Sequence, residues 1–122
     1  MTLKELYSEI CGDYDQAIHI LRMDKLIDKH IRRFTASGVV EDLLDAGNKM
    51  DPVGLFEKAH AMKGVCANLG LDRLSGMASE ITEEFRPGHT RTLSDAEVSE
   101  RLSAISELYK ITADGIKRYE EG

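Results

Sequence analysis

Apolar residues in this chain recur at steps of three and four, and no stretch alternates with period two for long enough to make a strand. The chain is therefore expected to be helical throughout. The helix boundaries can be read from capping residues. Thr2 and Glu5 make a capping box at the start of a short helix that Gly12 closes, and Asp13 is placed to cap a second one from Tyr14 to about Leu21. Asp24 opens a longer helix with Ile27, Ile31 and Phe34 on one face; that face lapses across Thr35 to Gly38 and resumes at Val40, Leu43 and Leu44. Asp24 to Gly47 reads either as one arm with a kink near Gly38 or as two helices.

Asp51-Pro52 marks a further start, a capping side chain followed by proline at the first helical position. Leu55, Ala59, Met62, Cys66 and Leu69 form its stripe, and Gly70 is placed to end it in the left-handed conformation. Leu71, Leu74, Ala78, Ile81 and Phe85 follow so closely that the two helices must turn back on each other. Arg86-Pro87-Gly88 breaks the second of them. Ser94 and Glu97 then make another capping box, ahead of Val98, Leu102, Ile105, Tyr109, Ile116 and Tyr119. The expected fold is all-α: an antiparallel up-and-down four-helix bundle over residues 24–119, with short extra helices in residues 1–23, in a single domain of 122 residues.

One residue of the Pro52 helix is out of place for a core. At about 100° per residue, His60 lies about 160° from Met62, on the side away from the stripe. Glu57, Lys63, Gly64 and Ala67 surround it at three, four and seven residues. Mid-helix glycine costs roughly 1 kcal/mol against alanine, so Gly64 needs a reason other than helix formation. A bare patch beside an outward imidazole and an ammonium is such a reason.

The run Ala59, His60, Lys63, Gly64, Leu69 and Gly70 resembles the signature of the histidine phosphotransfer (HPt) domain family, and the resemblance extends over Asp24 to Phe85. It implies that His60 is a phosphoacceptor, that Lys63 offsets the phosphoryl charge, and that Gly64 leaves room for the partner. The implied partners are receiver domains of response regulators or hybrid histidine kinases: one receiver aspartate donates the phosphoryl group, another takes it, and the receiver supplies the acidic pocket and its Mg²⁺. Glu57, Ala61, Ala67, Thr82 and Arg86 fall on the implied partner surface. Some family members carry a glutamine about 22 residues after the histidine; this chain has Thr82 there.

The chemistry is consistent with that role. Imidazole changes charge near neutral pH, so a neutral nucleophile is available there. A lysine offers a point charge without a fixed fork, so a phosphoryl group beside it can still leave. Nothing resembles a P-loop or a kinase signature, so the expectation is a carrier with no cofactor and no ATP-dependent activity.

Two other classes are weaker. Glu57-x-x-His60 has the spacing used in carboxylate-bridged di-metal bundles, but the residues three before His19, His30 and His89 are Gln16, Ile27 and Arg86. No second copy exists and Lys63 would repel a cation, so no metal is expected. A non-catalytic adaptor would be marked by a missing histidine or lysine, and both are present. With 22 acidic and 16 basic residues the net charge is −6, against a nucleic-acid binder. No run of 18 or more apolar residues points to a membrane helix, and the N-terminus has no signal-peptide pattern. Cys11 and Cys66 read as reduced thiols. A cytoplasmic monomer is expected.

Overall fold

The computed structural model describes the whole chain, residues 1–122. Seven α-helices follow one another: α1 (Leu3–Glu9), α2 (Tyr14–Leu21), α3 (Asp24–Phe34), α4 (Val39–Asn48), α5 (Pro52–Asn68), α6 (Asp72–Glu84) and α7 (Asp95–Glu121). No strand forms. The helices α4, α5, α6 and α7 close a ring, each packing on the next and α7 returning to α4. The short connections after α4 and α5 force the antiparallel order.

The arm beginning at Asp24 is interrupted. A single 3₁₀ turn, Thr35–Ser37, ends α3, and Gly38 at φ 73° reverses the chain before α4 begins. This left-handed geometry is nearly free for glycine and strained for other residues. It decides between the two sequence readings in favour of two helices. At 27 residues α7 is the longest element. Rising about 1.5 Å per residue, it spans roughly 40 Å, enough to pack on α4 and α6 with one half and on α1 with the other.

The expected stripes form the core. Leu55, Ala59, Met62 and Cys66 of α5 face Leu74, Ala78 and Ile81 of α6, all buried. Burying a leucine, isoleucine or methionine contributes about 1.5–3 kcal/mol, so this packing, more than the propensity of any one helix, holds the bundle. Along α7, Val98, Leu102, Ile105 and Ile116 are buried as expected, joined by Leu108 and Thr112. Tyr109 and Tyr119 lie at the edge rather than inside: their hydroxyls donate to Glu41 (2.8 Å) and Asp28 (2.5 Å). Both capping boxes are present, at Thr2/Glu5 and Ser94/Glu97, and the Asp13 carboxylate caps α2 through the Gln16 N–H.

Two local expectations are corrected. Cys11, at φ 58°, takes the left-handed turn after α1 instead of Gly12. Gly12 is needed for closeness: a Cβ there would sit 2.7 Å from the Tyr7 ring. Asp51 precedes α5 but its side chain accepts no capping hydrogen bond, so the start of α5 rests on Pro52.

Candidate functional site

The helix carrying the motif is fixed at its far end. The Gly70 N–H donates to Ala67 O and the Leu71 N–H to Cys66 O, the paired bonds of a Schellman motif, with Gly70 at φ 68°. Asp13 N–H donates to Gly70 O (2.7 Å), and the buried Tyr7 hydroxyl donates to Leu69 O (2.6 Å). A Cβ on Gly70 would lie 2.3 Å from the Asp13 carbonyl oxygen. The glycine that ends α5 is thus also the point where the N-terminal helices grip it.

His60 is exposed midway along α5, while its neighbours Ala59 and Met62 are fully buried. Lys63 lies one turn on and is half-buried. Its carbonyl oxygen accepts a hydrogen bond from the Ser75 hydroxyl (3.1 Å), which ties α6 to α5 beside the site. Gly64 is exposed, and a Cβ there would meet nothing within 4 Å. The glycine is therefore not a helix–helix contact; it leaves open ground. Ala61 is exposed on the same outer face and Ala67 is half-buried.

The aromatic and charged side chains toward α6 form a connected set. The Phe56 ring stacks near-parallel to the His60 imidazole, with centroids 6.0 Å apart and planes 12° from parallel. The Arg86 guanidinium lies 5.5 Å from the Phe56 centroid. Glu83 holds that guanidinium with two hydrogen bonds, Nε to Oε2 at 3.0 Å and Nη2 to Oε1 at 2.7 Å. These bonds, followed by the charges of Arg86, Lys63 and His89, hold the Glu83 carboxyl below its usual range against the opposing effect of desolvation. Arg86 therefore reaches the neighbourhood of His60 through Phe56.

Glu57 is exposed one turn before His60 and lines a cleft of about 400 Å³ together with Phe56, Arg86, His89 and Arg91. The Glu57/His60 pair meets no further His, Cys, Asp or Glu to make a group of three.

Thr82 does not face a partner. It is fully buried, and its hydroxyl donates to Ala78 O (2.9 Å) one turn back on its own helix. Placing it on the partner surface is corrected on that ground: a side chain satisfied inside the bundle cannot reach outward. Phe56 and Glu83 are the two members of the site that sequence reasoning passed over. Both were within its reach, since Phe56 stands four residues before His60 and Glu83 three before Arg86, the spacings at which helical side chains meet.

A family model, the Hpt domain, matches residues 25–111, well over half of the chain. The chain belongs to the Hpt domain family. Membership of this family carries histidine phosphotransfer in two-component signalling as the class of activity. No curated protein and no solved structure matches the chain. The matched span of this Hpt domain includes α4, α5 and α6 whole and omits α1 and α2, the helices that grip the end of α5. No helix is long and apolar enough to cross a membrane.

Proposed function

We propose that this Hpt domain relays a phosphoryl group between receiver-domain aspartates through a phosphohistidine at His60, working as a cytoplasmic monomer in a multistep phosphorelay. The observation that carries the reading is the open ground on α5: an outward imidazole, an ammonium one turn on, and a glycine with no neighbour to pack against. Glu57, Ala61, Ala67 and Arg86 flank that ground and would be covered by the docked receiver.

The step is an in-line displacement. A lone pair on an imidazole nitrogen attacks the phosphorus of a receiver's aspartyl phosphate, and a P–N bond forms. The P–O bond to the aspartate breaks, and the carboxylate departs with the electron pair. The other ring nitrogen keeps its proton. The second receiver reverses these bonds, its carboxylate displacing the imidazole. Charge is spread over the equatorial oxygens during transfer, so the protein's contribution is placement and nearby positive charge. Lys63 supplies that charge without a bidentate grip that would hold the group back.

The test uses a receiver carrying radiolabelled phosphate. Label should move to this protein and be acid-labile and alkali-stable, as a phosphoramidate is. His60→Gln should abolish labelling. Lys63→Ala should slow it by no more than about fivefold, since partly exposed charge interactions are worth ~1 kcal/mol or less. Substitution of His19, His30 or His89 should leave it intact. Label persisting in His60→Gln would place the phosphoacceptor elsewhere and refute the reading.

A further inference from the structure

Resting on that reading, we infer that Glu83 is a positioning residue that sets how firmly the phosphoryl group is held at His60, by occupying Arg86 and opposing Lys63. Glu83 and Arg86 connect to the imidazole through the Phe56 ring. Arg86 is drawn over Phe56, on which His60 stacks, and its guanidinium is occupied by the two Glu83 carboxylate oxygens. The positive charge of Lys63 is one of the lesser causes that hold the Glu83 carboxyl below its usual range. Lys63 itself makes no ion pair at salt-bridge distance, and Glu83 makes its only one with Arg86.

A phosphoryl group on His60 would bring close to two negative charges to this corner, by analogy with other phosphorylated side chains. It would then compete with the Glu83 carboxylate for the same two cations. Glu83 thus weakens what would otherwise be a two-cation clamp. For a carrier this has a direct use: a phosphoryl group held by both Lys63 and a free Arg86 would leave less readily for the second aspartate. The ion pair between Glu83 and Arg86 is exposed on both sides and adds little to stability, consistent with a role in setting charge at the site.

The test measures the ratio of label on His60 to label on the receiver aspartate at the transfer plateau. In Glu83→Gln the ratio should rise about two- to fivefold, within the range of exposed charge pairs. In Arg86→Gln it should fall below the wild-type value. In the double variant the rise caused by Glu83→Gln should shrink, because one of its two routes is gone. All these shifts should fade as salt is raised from 0.1 M to 1 M, where the screening length falls from about 10 Å to about 3 Å. Both side chains are exposed, glutamine suits the helix at Glu83, and Arg86 lies past the end of α6, so the variants are expected to fold. An unchanged ratio in Glu83→Gln, with wild type labelled normally at His60, overturns this inference and leaves phosphotransfer standing. A rise that salt does not touch also overturns it, since packing rather than charge would then be the cause. Wild type that takes no label at His60 refutes the phosphotransfer reading itself, and this inference with it.

Discussion

The two glycines of the motif should respond to alanine in opposite directions, although only six residues separate Gly64 within α5 from Gly70 just past its end. At Gly64 a Cβ meets nothing within 4 Å, so alanine brings only its helix propensity. That gain is about 0.8–1 kcal/mol. At Gly70 the backbone is left-handed, φ 68°, and a Cβ would lie 2.3 Å from the Asp13 carbonyl oxygen. The conformation alone costs roughly 1–2 kcal/mol for an L side chain, and the collision with main-chain oxygen adds to it, so a loss of at least ~2 kcal/mol is expected. A chain of 122 residues unfolds with an entropy of about 0.26 kcal/mol/K near its midpoint, so 1 kcal/mol moves Tm by about 4 °C. Calorimetry should therefore find Gly64→Ala higher by roughly 3–4 °C and Gly70→Ala lower by roughly 8 °C or more. Gly64→Gln, also no less stable than wild type, should slow phosphotransfer about tenfold, because a side chain forced into a close interface costs ~1–3 kcal/mol. A lowered Tm in Gly64→Ala would mean the glycine serves the fold, and the partner-access reading of Gly64 would fail. Normal transfer in Gly64→Gln would refute it equally.

Three further outcomes follow from buried groups. Thr82→Val removes a hydroxyl that only bonds Ala78 O within α6, so stability should change by no more than ~1 kcal/mol and phosphotransfer should be untouched; slowed transfer would restore Thr82 to the site. Glu84, nearly buried, accepts from the Leu93 N–H, the Thr92 N–H and the Thr92 hydroxyl, and these bonds hold its carboxyl below the usual range, the Leu93 bond foremost. Because the folded-state pKa is depressed, its stabilisation is present above the unfolded-chain value of about 4.3 and is lost as pH falls through the lower folded-state value. Urea titrations should show Glu84→Gln less stable by about 1.5–3 kcal/mol at pH 7, with a shallower loss below pH ~4.5; an unchanged acid slope would contradict the assignment. Burial pushes the Cys66 thiol up to about 12, whereas Cys11 is exposed, so a thiol reagent at pH ~8 should modify one cysteine in the native protein and two only after unfolding. Fast native modification of both would show that Cys66 is not sealed.

The helices and the outward histidine were legible because periodicity and capping are local. Leu55 to Leu69 and the opposed His60 need only the pitch of one helix, and Thr2/Glu5 and Ser94/Glu97 satisfy their own backbones. What escaped depended on neighbours distant in sequence. Thr82 stands at the margin of the α6 stripe, where its polarity suggests solvent; the packing of the bundle buries it, and its hydroxyl turns back to Ala78. Tyr109 and Tyr119 have the spacing of core residues, yet Glu41 and Asp28, far along the chain, draw their hydroxyls to the edge. Gly12 looked like a turn residue because glycine often is one; the ring of Tyr7 explains it instead. At the site, each half of the set was visible as a helical pair. Its assembly into one set required α6 to lie against α5.

The grip of the first helices on the end of α5 also has a consequence for synthesis on the ribosome. Tyr7 and Asp13 are made early, but their partners Leu69 and Gly70 are made about sixty residues later. At about 5–20 residues per second that interval is roughly 3–12 seconds. The surfaces of Leu6 and Ile10 wait longer still, since both pack against Gly115, which lies well beyond Gly70 in α7. During that interval α1 has only α2 to pack on and lacks its α5 and α7 neighbours, and a seven-residue helix is too short to persist alone. The segment holding α1 therefore emerges before the helices it packs on and settles after them, and the α5 terminus beyond His60 is sealed only when the nascent chain has doubled back on α1 and α2.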